Sequence, residues 1–448
     1  MNKLTKNEFD DALHKGLGRA FLFIREYGDN EVQEILLHSL IHNLVYDNQC
    51  EGGRGDWLFS IIEMTNNLEF YEEEILKNVK NVETWDTDQL LDSFWDTVQL
   101  LDLLMAFAKR GSNKARRALY DTFDTQKFNE SWVGGDQIIE VDGLDGFLHI
   151  AERIGKRLKI EDGYWEDDFM LREVKERFGT DHVERAIHER SKESEDLRSY
   201  LQKIKITDSD KRETKEERLE RYRKEYSLDK WLPALESPQG HFPFLAFARC
   251  ASDEDILHCF ALLKNETDKA KKIKLLNIFQ RRALPEFYDP LLNFACDEDE
   301  ELCSASIAAL SLLRDERVHQ LAIEINELSN LQRKIYSIPL FYNNYIHGDN
   351  FVIEKILKSV PVNSDRDVIH HLVFDLVKLC EKNKSSEMNQ ILLWIYENSP
   401  CMNCRGKGVK MLLENNALTE SMLAECLDDG DSEIREIALQ AKNIKASI

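Results

Sequence analysis

Three stretches of the chain hold residues whose types and spacing could do chemistry. The first, HNLVYDNQCEGGRGDWLF at 42–59, gathers Tyr46, Asp47, Gln49, Glu51, Arg54 and Asp56 around three glycines. Carboxylates beside an arginine in a glycine-loosened turn could hold a cationic or polar group, or move a proton. The plainer role is an inter-helix turn with a capping aspartate and an internal Glu51–Arg54 ion pair. The second stretch runs from Trp132 to Gly146 and offers Asp136, Gln137, Glu140, Asp142 and Asp145 among four glycines. Closely spaced carboxylates suggest a hard cation, but DGLDG lacks the ligand spacing of a calcium-binding loop. Asp145 therefore reads first as the N-cap of a helix over 146–158.

The third stretch is Ser399-Pro-Cys401-Met-Asn-Cys404-Arg405. A CxxC pair supplies half of a four-ligand zinc site. Cys426 is the first choice for a third ligand, with Cys380 or His371 behind it, and no second CxxC or CxxH follows. The competing role is local: Ser399 as N-cap and Pro400 as first helical residue would put both thiols on the first turn of a helix. No P-loop, GxGxxG, GxSxG or HExxH is present, so no catalytic residue and no cofactor is assigned.

The elements that must position these residues are helices. In LLNFACDEDEELCSASIAALSLL, from Leu291 to Leu313, an apolar helix is followed by Asp297 and Asp299 in a turn. A second helix then lines up Leu302, Ser306, Ala309, Leu310 and Leu313. The pattern recurs at Asp365 and Asp431, each 66 residues after the last, and an earlier copy begins at Asp268. Weaker copies start at Asp29 and Ser112. A 3.6-residue apolar period in paired segments that cannot bury their faces alone is the pattern of stacked HEAT-like repeats. The expectation is an all-α fold, an α-solenoid of antiparallel helix pairs. The tryptophans, Trp85 and Trp132 among them, are expected in its core.

Punctuation divides the chain. All eight prolines lie at or beyond Pro233, whereas fourteen of nineteen glycines precede residue 200, so two regions use different turn chemistry. The expected organisation is a helical-repeat region over 1–186, a charged, solvated helical linker over 187–230 and a second repeat region over 231–448. The nine cysteines sit mostly in apolar helical settings and are expected as buried, reduced thiols.

With 59 Lys and Arg against 83 Asp and Glu, the net charge is −24. Such a surface repels phosphate backbones and anionic membranes, so neither nucleic acid nor membrane is expected as a partner. The N-terminal residues carry charges throughout and lack the apolar run of a signal peptide, which points to the cytoplasm.

The pieces YDNQCEGGR (Tyr46–Arg54), DQIIEVDGLDG (Asp136–Gly146) with FLHIAERIG after it, and SPCMNCR (Ser399–Arg405) resemble a group of bacterial HEAT-repeat proteins of unassigned function. The resemblance spans both halves. It implies an α-solenoid in a bacterial cytoplasm and supplies no activity, ligand or catalytic residue. Taken together, these readings lead to a non-enzymatic scaffold that binds a protein or peptide, basic in character, on a concave acidic surface. The rival is an enzyme or small-ligand binder whose site joins the 46–56 and 136–145 loops: Tyr46, Asp47, Gln49, Glu51 and Arg54 with Asp136, Gln137, Asp142 and Asp145. That rival requires the two loops to meet around convergent carboxylates and an arginine.

Overall fold

The computed structural model describes residues 3–80, 90–125, 133–206, 213–236 and 244–446. Trp85, Trp132 and part of the expected linker lie outside the described residues. Within them the chain is all-helical, with no strand, and most helices pack on near neighbours in sequence. The chain forms two units, Met1–Lys211 with Glu420–Ile448, and Arg212–Thr419.

In the first unit, Lys6–Lys15 opens with a capping box. The Thr5 hydroxyl accepts from the Glu8 amide while the Glu8 carboxylate takes the Thr5 amide. It stops at Gly16, whose φ of 70° is left-handed. Phe9 stacks at 5.0 Å on Phe23 of the next helix, Gly18–Tyr27. The Leu90–Lys109 helix lies centrally, against Gly55–Glu63, Asn113–Thr125 and Gly135–Ile160, and Leu101, Leu103 and Leu104 are fully buried along it. The last residues of the chain join this unit. A Cβ on Gly18 would fall 1.9 Å from the Glu425 carbonyl, so only glycine lets the two backbones approach. The Gly430 amide donates to the Gly16 carbonyl at 2.7 Å, and Arg19 pairs with Glu425 at 2.6 Å.

Two expectations change here. The stretch 135–146, in which Asp-Gly steps suggested a loop or a helix start, is already helical from Gly135 to Ile160. The turn is confined to Gly143, whose φ of 59° and ψ of −126° break the helix locally. The helix beyond that break thus begins at about Leu144, slightly earlier than expected, and Asp145 is an exposed residue of its first turn. The 187–230 stretch is also divided. Glu195–Lys203 docks on Gly135–Ile160 with Leu197 and Tyr200 fully buried, whereas Lys215–Glu225 buries nothing.

In the second unit, aspartates do the capping the repeat pattern asks of them. Asp299 accepts from the Glu301 and Leu302 amides, Asp365 from Asp367 and Val368, and Asp268 from Lys271. In the first unit Ser112 accepts from the Ala115 amide and Asp431 from the Glu433 amide. Asp29 departs from the pattern. It is buried and accepts from Asn67 and from the Tyr71 hydroxyl, at 2.7 Å, tying its own turn to the start of the later helix Leu68–Lys80. The local nature of these caps makes a modest prediction: Asp299→Ala should cost about 1 kcal/mol in urea unfolding, the usual worth of an N-cap side chain. A loss beyond twice that would show Asp299 holding more than its own helix.

All nine cysteines are free thiols, and all but Cys50 and Cys296 are buried. Burial pushes the Cys259 and Cys380 thiols up to about 12, which keeps them unreactive.

Candidate functional site

The two glycine-rich stretches of the first unit meet, and the residue between them is Asp102 on the Leu90–Lys109 helix. Glycine at 53 and 55 makes the approach possible. A Cβ on Gly55 would lie 2.3 Å from the Asp102 Cβ, and one on Gly53 would lie 2.9 Å from its Oδ2. From the other side, the Gln137 amide donates to Asp102 Oδ1 at 2.6 Å. Asp56 and Asp136, both exposed, add their fields. Burial, opposed by the Gln137 hydrogen bond and reinforced by those two carboxylates, raises Asp102 to about 6. No Lys or Arg among the described residues forms an ion pair with Asp56, Asp102 or Asp136.

Asp56 also lines a small cavity of about 210 Å³, together with Trp57, Ser60, Asp428 and Arg435. The Trp57 indole N–H donates to the Asp428 carbonyl at 2.9 Å, which fixes the ring. Burial raises the Asp428 carboxyl, with Arg25 and Arg435 acting against it.

The residues expected to supply polar groups at 46–54 are largely committed to structure. Asp47 caps the short Asn48–Glu51 helix, accepting from the Gln49 and Cys50 amides. Arg54 is enclosed: its guanidinium donates to the Leu13 and His14 carbonyls at 2.9 and 2.7 Å and pairs with Glu51 at 3.3 Å. The two side chains are 3% and 0% exposed. Arg54 therefore closes the end of Lys6–Lys15 and cannot face a ligand, so the meeting loops bring carboxylates without the arginine the rival required. Tyr46 is half-buried and Gln49 exposed, neither joined to Asp102. In the second stretch, Asp142 is held by Arg116 through both oxygens at 2.9 Å and by the Tyr120 hydroxyl at 2.6 Å. Glu140 pairs with Lys109 and Arg177. Asp136 and Gln137 are the members that reach Asp102.

Sequence reasoning passed over Asp102, though its signal was there: LLDLL puts one carboxylate between two leucine pairs in the apolar second half of its helix. Such a charge is kept near a core only where it has a use or a partner.

In the second unit, Cys401 is the N-cap of Met402–Glu414 and Cys404 lies on its first turn, so the helix starts slightly later than Ser399 and Pro400 suggested. The Ser399 hydroxyl instead donates to the Cys401 carbonyl at 2.7 Å. Beside the two buried thiols stands His370 of the Arg366–Lys382 helix, its Nε2 3.7 Å from Cys404 Sγ. Ligating atoms of His370, Cys401 and Cys404 all fall within 4.8 Å of one another. The sequence offered Cys426 and His371 for the third position. Cys426 ends a helix of the first unit, and His371 is exposed, with its Nδ1 bonded to the Asp367 carbonyl at 2.7 Å.

No helix among the described residues is long and apolar enough to cross a membrane. Compared with protein-family models, with curated proteins and with solved structures, the chain matches none.

Proposed function

We propose that this chain is a non-enzymatic helical-repeat protein, built of HEAT-like helix pairs, that binds a basic protein or peptide through the carboxylates of its first unit. The observation that carries the reading is the convergence of Asp56, Asp102 and Asp136 from three separate segments, with no Lys or Arg among the described residues ion-paired to them. Like charges gathered in this way repel one another, and a lysine or arginine side chain from a partner relieves the repulsion. The net charge of −24 steers a basic partner toward the whole surface, and the cluster gives it a place to dock.

A fluorescent arginine-rich peptide titrated against the full chain tests the reading. Affinity should fall as salt rises, because screening shortens the reach of exposed charge to about 10 Å at 0.1 M. Asp56→Asn with Asp136→Asn should weaken binding about tenfold, or 1.4 kcal/mol. The same charge removed at exposed Glu26 and Glu34 should change it little. Equal losses from both pairs would mean that the charge acts only in bulk and that no docking place exists at Asp102.

The meeting of the two stretches at Asp102 also favours a second reading, a small cationic ligand in the same place. A diamine that binds the native chain stoichiometrically, and is lost with Asp136→Asn, would select it over the peptide.

A further inference from the structure

We propose that His370, Cys401 and Cys404 form a binding site for one zinc ion within the second unit. The donor set is the first argument. Two thiols and an imidazole nitrogen are soft and borderline ligands that select zinc over calcium or magnesium, which take oxygen. The spacing is the second. Zinc–sulfur and zinc–nitrogen bonds of about 2.3 and 2.0–2.1 Å at tetrahedral angles place S and N about 3.6 Å apart. The Cys404 Sγ to His370 Nε2 separation is 3.7 Å, and the remaining separations, all within 4.8 Å, close onto a tetrahedral face with small rotamer shifts.

Placement is the third argument. Cys401 and Cys404 occupy the N-cap and first turn of the thirteen-residue helix Met402–Glu414, where the partial positive charge of the helix end complements thiolate. His370 comes from a different helix, Arg366–Lys382, so the three donors do not come together through chain proximity alone. Its neighbour His371 points its Nδ1 at its own backbone, which leaves His370 as the imidazole on this side of the helix. The thiols are 5% and 7% exposed and the imidazole is half-buried. The ion therefore sits just beneath the surface, with its fourth ligand supplied from solvent. Bound there, it ties the two helices together.

Cobalt is the probe. The full chain, reduced and stripped with chelator, is titrated with Co²⁺ and followed by thiolate-to-cobalt charge-transfer absorption and the intense visible bands of tetrahedral cobalt. The expected result is one cobalt per chain, displaced by zinc in equal amount. Cys404→Ser and His370→Gln should each weaken binding by more than about 100-fold, since loss of even an outer-sphere partner of a metal ligand costs about 10–100-fold. Cys259→Ser, a buried thiol elsewhere in the unit, should bind as the native chain does. His370→Gln keeps both thiols, so it reports on the site if the serine variant fails to fold. Absence of the charge-transfer band in the native reduced chain would overturn the proposal. So would undiminished binding in His370→Gln, or a Cys401–Cys404 disulfide that persists under reductant.

Discussion

Replacing Arg54 with alanine should destabilise the protein by about 3–5 kcal/mol, the cost of removing one partner from a buried ion pair. The substitution leaves the Glu51 carboxylate, 0% exposed, without its guanidinium, and withdraws a donor from the Leu13 and His14 carbonyls. Lysine should rescue little of the loss, because an ammonium lacks the fork that reaches two carbonyls and a carboxylate at once. Arg54→Met combined with Glu51→Leu should recover part of it, since an apolar pair of similar size avoids the stranded charge. Urea unfolding of the four proteins measures these differences. A loss below about 1 kcal/mol for Arg54→Ala would place this pair with ordinary surface ion pairs.

Asp102→Asn should act in the opposite direction and depend on pH. The native carboxyl titrates near 6, above its ordinary value of 3.8. Between roughly pH 4 and pH 6 the folded chain therefore keeps a proton that the unfolded chain has lost, so stability falls as pH rises through that window and stays lowered above it. Asparagine carries no charge and can still accept the Gln137 hydrogen bond. At pH 7.5 it should stabilise the fold by up to about 3 kcal/mol, and near pH 4 the two proteins should converge. The same substitution should weaken binding of the arginine-rich peptide, exchanging function for stability. If Asp102→Asn unfolds more easily at pH 7.5, the carboxylate's charge is favourable where it sits and the clustered-charge account fails.

How much of this could be read from the residues follows from how local each feature is. The helices, and the caps at Asp268, Asp299 and Asp365, depend on a few consecutive residues, and the apolar period with a preceding aspartate marks them. The Glu51–Arg54 pair spans a single turn and was equally readable. Asp102 was not, because its meaning comes from glycines some fifty residues earlier and a glutamine 35 residues later. The choice of His370 over His371 depends on the rotation of one helix against another, which one residue of phase decides. Of the Asp-Gly steps at 142–143 and 145–146, the first marks the break at Gly143 and the second lies within the helix beyond it. Arg116 and Tyr120 hold Asp142, and Gly146 packs against the Ile138 carbonyl, where a Cβ would come within 2.7 Å.

The composition of the first unit from both ends of the chain has a consequence for its birth on the ribosome. Residues up to Lys211 emerge first, but the segment that covers Gly16 and Gly18 begins only at Glu420. At about 5–20 residues per second, the intervening 200 or so residues take roughly 10–40 s to translate. Throughout that interval the nascent first unit lacks its final helices, while Arg212–Thr419 is made and can fold as an uninterrupted segment. Of the two units, the one that begins to emerge first is thus the last to be completed, and a chaperone that shields nascent chains has its longest task at the helices around Gly16 and Gly18.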